Sequence, residues 1–228
     1  MADLNVICWL WGSKYRDIDV IRLRNGVRKY LHESHRFLLF TDQVLYFSDL
    51  SIDVRPLQDR HLTTRSCFCR LRMFDPHWQK LNGLEGRILS LDLDLVLVSR
   101  IDALLQTAST FKILQGANAT NPNPFNASIM LLRCGHHAEV WNDFSPGLAQ
   151  VMPFHEFPDD QGWIWHKLPK ADGWKVGKDS GIYAFQKPGW RTGSIDLPSD
   201  AKIVAFIGKR KPRMYEFVPW VRQYWTHA

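Results

Sequence analysis

The sequence lacks most features that would take it out of the ordinary globular class. It has no stretch of about 18 consecutive apolar residues, so no transmembrane helix is expected. It has only four cysteines, Cys8, Cys67, Cys69 and Cys134, too few and too irregular for a disulfide framework. One residue separates Cys67 from Cys69, which is not structural-zinc spacing. The opening Met-Ala-Asp-Leu-Asn has no basic segment followed by an apolar one, so no signal peptide is expected. No break rich in Pro, Gly or Ser divides the chain and no internal repeat is visible, so one mixed domain is expected. The expected setting is reducing and cytoplasmic.

What is abundant is aromatic and basic. Ten Trp and thirteen Phe in 228 residues imply either a thick core or stacking surfaces. At 45% hydrophobic and 23% charged residues, disorder is excluded. A chain this long removes about 72% of its surface from water on folding, enough for one large core. The charge balance is 29 − 23 = +6. It concentrates at Arg60, Arg65, Arg70 and Arg72, and at Lys209, Arg210, Lys211 and Arg213. Either cluster suits the phosphates of a nucleotide, a nucleic acid or a lipid headgroup, although such clusters taken singly are mostly solvated faces.

Along the chain, Leu4–Leu10 reads as a buried strand, 18–31 as a helix, and 36–41 and 52–57 as further strands. Strand, helix, strand with short links is the pattern of a parallel βαβ unit. A helix over 68–74 is expected to stop at Asp75-Pro76. Residues 88–98, Ile-Leu-Ser-Leu-Asp-Leu-Asp-Leu-Val-Leu-Val, read as the strongest strand. Residues 118–126 read as a loop feeding a strand at 128–133, with helices expected around 136–144 and 161–168 and late strands at 181–186 and 202–207.

Asp92 and Asp94 stand inside that strongest run, and in extended chain they would face the same side. Burying two like charges costs several kcal/mol each unless something compensates. Their persistence suggests that the strand's carboxyl end opens on a ligand crevice, as in open α/β sheets. Paired carboxylates suit a hard divalent cation bridging to a diphosphate. Solvated residues on an edge strand or in a turn are the plain alternative. Asn126 and Ser128 offer groups for hydroxyls, and Asp159, Asp160 and Gln161 precede an aromatic helix. Asn126 as a turn residue, and Asp159 or Asp160 as a helix N-cap, are the alternatives there.

The order of these motifs resembles the GT-A-fold glycosyltransferases, particularly glycosyltransferase family 8 and its small bacterial and viral relatives. Val6–Tyr15 looks like the family's first strand and nucleotide-binding loop, and Phe68-Cys69-Arg70-Leu71 like its aromatic-Ala-Arg-Leu helix. Ile88–Val98 looks like the Asp-x-Asp strand, Pro124–Met130 like the Phe-Asn-Ser/Ala-Gly segment, and Asp160-Gln161-Gly162 like Asp-Gln-Asp. Phe206–Pro212 is similar to the Gly-x-x-Lys-Pro diphosphate clamp. The resemblance implies an α/β fold: a single GT-A, Rossmann-like domain with a mostly parallel mixed sheet flanked by helices. The nucleotide part would cover about residues 1–100 and the acceptor part the rest.

By the same resemblance, Leu10, Trp11, Tyr15, Arg70, Asp92, Leu93, Asn126, Ser128, Gly208, Lys209 and Lys211 would bind the donor. Gln161 and Asp160 would be catalytic, and Asp92 and Asp94 would hold Mn²⁺ or Mg²⁺. The chain departs from the family where a metal-binding His is usual, because Ala205, Phe206 and Ile207 fill those places. Gly162 replaces an Asp, and Ser128 a Gly. His155 is the remaining candidate for a ligand from elsewhere.

The expected activity is transfer of a sugar from a nucleotide-sugar, UDP-linked and with retention by resemblance, to a glycan, lipid-linked or protein acceptor. The rivals are a sugar-phosphate nucleotidyltransferase and a catalytically degenerate nucleotide-sugar-binding protein. No nucleic-acid module is recognised. Phe217–Trp225 reads as a helix whose apolar stripe packs on the core. The less favoured reading places it, with the preceding basic segment, at a membrane surface.

Overall fold

Every residue of the first strand, β1 (Leu4–Leu10), is buried, as a parallel strand covered on both faces requires. Leu4, Val6, Cys8 and Leu10 share one core cluster, and Ile7 and Trp9 another, so the alternation of the strand splits its side chains between the two faces of the sheet. The computed structural model describes residues 3–43, 52–57, 67–117 and 122–226.

After β1 the chain forms α1 (Asp17–Tyr30), β2 (His35–Thr41) and β3 (Asp53–Pro56). β2 pairs parallel to β1, and β3 parallel to β2. A 3₁₀ helix, Phe68–Phe74, and α2 (Pro76–Leu81) then lead to β4 (Arg87–Leu91), which pairs parallel to β1 on its other side. Strand order therefore reverses between β1 and β4, the topological switch point of an open α/β sheet.

The chain then leaves this sheet. β5 (Leu95–Leu97) pairs antiparallel with β10 (Ile203–Ala205), which pairs parallel with β9 (Ile182–Ala184) in a separate three-stranded sheet. β6 (Phe111–Gln115), β7 (Phe125–Arg133) and β8 (Asp172–Lys175) return to the first sheet, whose order is β3-β2-β1-β4-β7-β6-β8. β7 runs antiparallel to both β4 and β6, and the other pairs are parallel. Between β7 and β8 lie α3 (Glu139–Asn142), α4 (Pro146–Val151) and α5 (Asp160–Lys167). The molecule is an α/β fold with a mostly parallel mixed sheet. α1 packs in the core cluster on one face, and the 3₁₀ helix, α3 and α5 pack in the cluster on the other.

Several sequence expectations change. The run 88–98 is two strands in two sheets, and Asp92-Leu93-Asp94 is the corner between them, because a ladder interior has no partner for two carboxylates. The helix over 68–74 ends at Phe74 as expected, in 3₁₀ form, and Asp75-Pro76 also begins α2: the Asp75 side chain accepts from the His77 N–H, and Pro76 occupies the first helical turn. The helix expected around 136–144 is only the single turn α3. β6 and β8 had no sequence expectation.

The aromatic surplus is largely core. Tyr183, Phe185, Trp190, Phe206, Trp220 and Trp225 form a third cluster over the small sheet, with the Phe185 and Phe206 rings stacked at 4.7 Å. Trp220 and Val221 of the last helix, α6 (Pro219–Tyr224), and Trp225 at its C-cap belong to this cluster. The apolar stripe is therefore packed on the core at these positions, while Met214 and Phe217 are exposed. Among the described residues no helix is long and apolar enough to cross a membrane. All four cysteines are free thiols.

Candidate functional site

Ligands of open α/β sheets sit outside the carboxyl ends of strands at the switch point, here the ends of β1 and β4. A recess of ≈ 220 Å³ lies there, lined by Trp9, Trp11, Lys14, Tyr15, Cys67, Arg70, Asp92 and Leu93. Beyond β1 the chain turns at Gly12, whose φ of +61° favours glycine. The Gly12 N–H is held by Asp42 Oδ2 at 3.2 Å. This turn returns Tyr15 towards the corner that follows β4.

Two ion clusters form the floor. In the first, the buried Arg70 guanidinium grips Asp160 with both arms, Nε to Oδ2 at 2.7 Å and Nη2 to Oδ1 at 2.9 Å. Its Nη1 donates to Asp92 and to the Ala127 carbonyl. Burial alone would lower the Arg70 pKa, but Asp160 and Asp92 hold it well above its usual value. Burial pushes the Asp160 carboxyl up to about 7 against the pull of Arg70.

In the second cluster, Asp94 Oδ2 accepts from Lys211 Nζ at 2.6 Å and from the Tyr15 hydroxyl at 2.7 Å. Lys211 also donates to the Tyr15 oxygen at 2.9 Å. Burial, then Asp94 and Asp92, push the Tyr15 hydroxyl far up, so it stays protonated and donates. Burial, then Asp92, push Asp94 up, against Lys211 and Tyr15.

An irregularity in β7 supplies backbone to the site. Pairing with β6 jumps from Ile113–Met130 to Leu114–Asn126, so residues 127–129 drop out of that ladder, as a bulge does. The freed groups of Ala127 are used, its O by Arg70 and its N by Gln161 Oε1 at 3.3 Å, while on the β4 side Ser128 O accepts from the Asp92 N–H at 2.9 Å and extends that ladder. Asn126 Oδ1 accepts from the Ser128 N–H. Asp159 caps α5 through the Gly162 N–H, the N-cap alternative, while Asp160 belongs to the Arg70 cluster. Gly162 has no room for the family's Asp, since a Cβ there would lie 2.9 Å from the Glu156 carbonyl oxygen.

The structure thus gathers Trp11, Tyr15, Arg70, Asp92, Leu93, Asp94, Asn126, Ser128, Asp160, Gln161 and Lys211 around one corner. Leu10 is wholly buried in the core, leaving only its backbone for a ligand. Gly208, at φ +74°, turns the chain between β10 and Lys211. Lys209 on that turn is exposed. His155 is at the surface beside Glu156 and lines a different cavity. Arg72 pairs with Asp75 and lies over the Trp141 ring. Arg60 and Arg65 lie outside the described residues. Sequence reading missed Trp9, Lys14 and Cys67 as lining residues. Trp9 and Lys14 carried a signal, their place in the Val6–Tyr15 segment, and Cys67 carried none.

The donor set does not fit a resident divalent cation. Asp92 and Asp94 each give a carboxylate oxygen to a cation of the chain itself. Ala205 and Phe206 are buried apolar residues, and Ile207 packs against the core. Among the described residues no three ligating side chains converge.

No protein-family model matches the chain, and no curated protein matches it by sequence. Solved structures match by fold. An active-site mutant of LgtC, a glutamine changed to glutamate, superposes with a TM-score of 0.60 at 11% identity, covering 96% of this chain and 93% of the other. The galactosyltransferase LgtC in complex with donor and acceptor sugar analogs superposes with a TM-score of 0.58 at 11% identity, covering 97% and 96%. At such identity the likeness establishes the fold, which is the GT-A fold that the motif order implied.

Proposed function

We propose that this chain is a glycosyltransferase that moves a sugar from a nucleotide-sugar, with UDP as the carrier, to a hydroxyl of a glycan, lipid-linked or protein acceptor. The observation that carries this reading is the recess at the β1–β4 switch point, walled by Trp9, Trp11 and Tyr15 and floored by Arg70 and Asp92, on the fold shared with a galactosyltransferase. The recess is smaller than the roughly 300 Å³ where ligand pockets begin. It therefore takes the nucleoside end, while the sugar extends towards Asn126 and Gln161.

The roles follow from the chemistry of each group. Trp11 and Tyr15 offer ring faces to a base, and Asp92 accepts from ribose hydroxyls. Lys209, Lys211 and Arg70 stabilise the charge that develops on the departing diphosphate as the anomeric C–O bond breaks. Asn126 and Ser128 orient the sugar hydroxyls. Gln161 has its carbonyl end on Ala127 N, so its amide NH₂ is the group it offers near the anomeric carbon. LgtC, too, has an active-site glutamine. The acceptor oxygen forms the new bond and its proton leaves with the diphosphate. Retention of configuration belongs to this proposal, as does the division into a nucleotide part at about 1–100 and an acceptor part beyond it.

The test is a hydrolysis and transfer screen across UDP- and GDP-sugars, with and without Mn²⁺. Release of UDP with sugar transfer is expected, and Gln161→Ala should lower kcat by about 10²-fold while donor affinity changes little. No turnover with any donor would sink the reading. One observation favours the non-catalytic alternative: both Asp160 oxygens are committed to Arg70, so neither is open to a substrate. A nucleotide-sugar that raises the melting temperature without being consumed would select that alternative.

A further inference from the structure

We propose that Lys211 stands in for a divalent cation, so that the chain's own fixed ammonium and guanidinium groups neutralise a bound nucleoside diphosphate and the site takes up no metal. This rests on the nucleotide-sugar reading for its ligand, but not for its claim about the metal.

Asp94 Oδ2 receives two donors, Lys211 Nζ at 2.6 Å and Tyr15 OH at 2.7 Å. The side chains of Asp94 and Lys211 are 7% and 9% exposed, so this is an enclosed pair and not a surface encounter. A cation ligated through Asp94 Oδ2 would have to displace the ammonium, and one ligated through the other Asp94 oxygen would sit beside that ammonium and meet Arg70 already on Asp92. Small divalent ions also demand near-octahedral oxygen geometry, and the third protein ligand is absent where β10 runs out through Ala205 and Phe206 into Ile207.

A lysine is a known alternative partner for phosphate, acting as a compact point charge. Here its stem is buried and its head is oriented by Asp94 and Tyr15, so little ordering remains when an anion arrives. Lys211 supplies one positive charge where a metal supplies two. The exposed Lys209, two residues away, and Lys14, on the rim of the recess, make up the difference. Lys14 Nζ lies 5.2 Å from the Tyr15 ring centre. The carboxylates therefore act as anchors for cations of the chain itself, and the diphosphate meets those cations directly.

The experiment is Mn²⁺ uptake by the full unliganded chain, read from loss of the free-ion EPR signal, beside UDP calorimetry in EDTA and in Mn²⁺. The expected results are no uptake at millimolar Mn²⁺ and UDP affinities that agree within about threefold in the two buffers. Lys211→Gln, which keeps a donor for Asp94 but loses the charge, should bind UDP at least about tenfold more weakly in EDTA. Lys211→Arg should recover most of that loss, which a merely structural role for the charge-neutral contact would not give. Micromolar uptake of Mn²⁺, or UDP binding weakened about tenfold by EDTA, would overturn the proposal. If UDP binds in neither buffer, the donor reading fails, and the Mn²⁺ titration alone still decides: no uptake supports the lysine, uptake refutes it.

Discussion

The two ion clusters at the corner after β4 contain similar groups and differ in how they are held. The Arg70 cluster sets one guanidinium against two carboxylates and a backbone carbonyl. It ties together four places: the 3₁₀ helix, the corner, the β7 bulge and the start of α5. A planar fork with several fixed donors suits that duty, because each arm has its own acceptor. The Asp94 cluster sets a flexible lysine and a tyrosine on one oxygen. Its members come from the loop after β1, the corner, and the segment after β10. The first cluster is geometry that a ligand cannot displace without dismantling the site. The second is a charge on a stem that a phosphate can share.

Removal of each cation in turn separates the two clusters most widely. Arg70→Met leaves Asp92 and Asp160 without their cation, and Asp160 has no solvent access. Loss of one partner from a buried network costs about 3–5 kcal/mol, a large share of the roughly 5–15 kcal/mol that holds an ordinary domain folded. Lys211→Met leaves Asp94 with the Tyr15 hydroxyl still in place, and the expected loss is about 2 kcal/mol. Urea midpoints at unchanged slope measure both. Equal losses would mean that the two clusters are equally structural.

A finer distinction comes from acid–base linkage. The Asp160 carboxyl is raised by burial to about 7 in the folded chain, against an ordinary value near 4 when unfolded. Between those values the folded state holds more protons than the unfolded one. Stability contributed by this group is therefore present at the acid end and declines as pH rises towards neutrality. Asp160→Asn should flatten that decline in a series of urea midpoints. An unchanged slope would show that the ion pair with Arg70 keeps Asp160 ionised throughout.

The comparison also explains what could be read from sequence. β1, β2 and β4 are buried on both faces, so they appear as continuous apolar runs. β8 is the four-residue edge strand Asp-Gly-Trp-Lys and carries no such signal. The apolar continuity of residues 88–98 concealed a change of sheet, because hydrophobicity reports burial and not which ladder a residue joins. Motif order located the corner and most of its lining. It did not locate the pairings. Arg70 and Asp160 are 90 residues apart, and Lys211 and Tyr15 are 196 apart, distances at which no local pattern registers. The β7 bulge was invisible for a related reason, since it is defined by the neighbouring strand.

The smallest expected effect makes the sharpest distinction. Tyr15→Phe removes one hydroxyl that donates to Asp94 and accepts from Lys211, and it leaves the ring on the wall of the recess. One net hydrogen bond is worth about 1 kcal/mol, so the urea midpoint should fall slightly. The ammonium loses one acceptor and keeps its charged partner, Asp94 Oδ2. If Tyr15 serves the donor through its ring, UDP affinity should change by less than about threefold in this variant and by about tenfold or more in Tyr15→Ala, which also removes the stacking face. If instead the hydroxyl is what aims Lys211, the Phe variant should already weaken UDP as much as Lys211→Gln does. That result would make the second cluster as dependent on fixed geometry as the first, and the contrast between an architectural cation and a shared one would no longer hold.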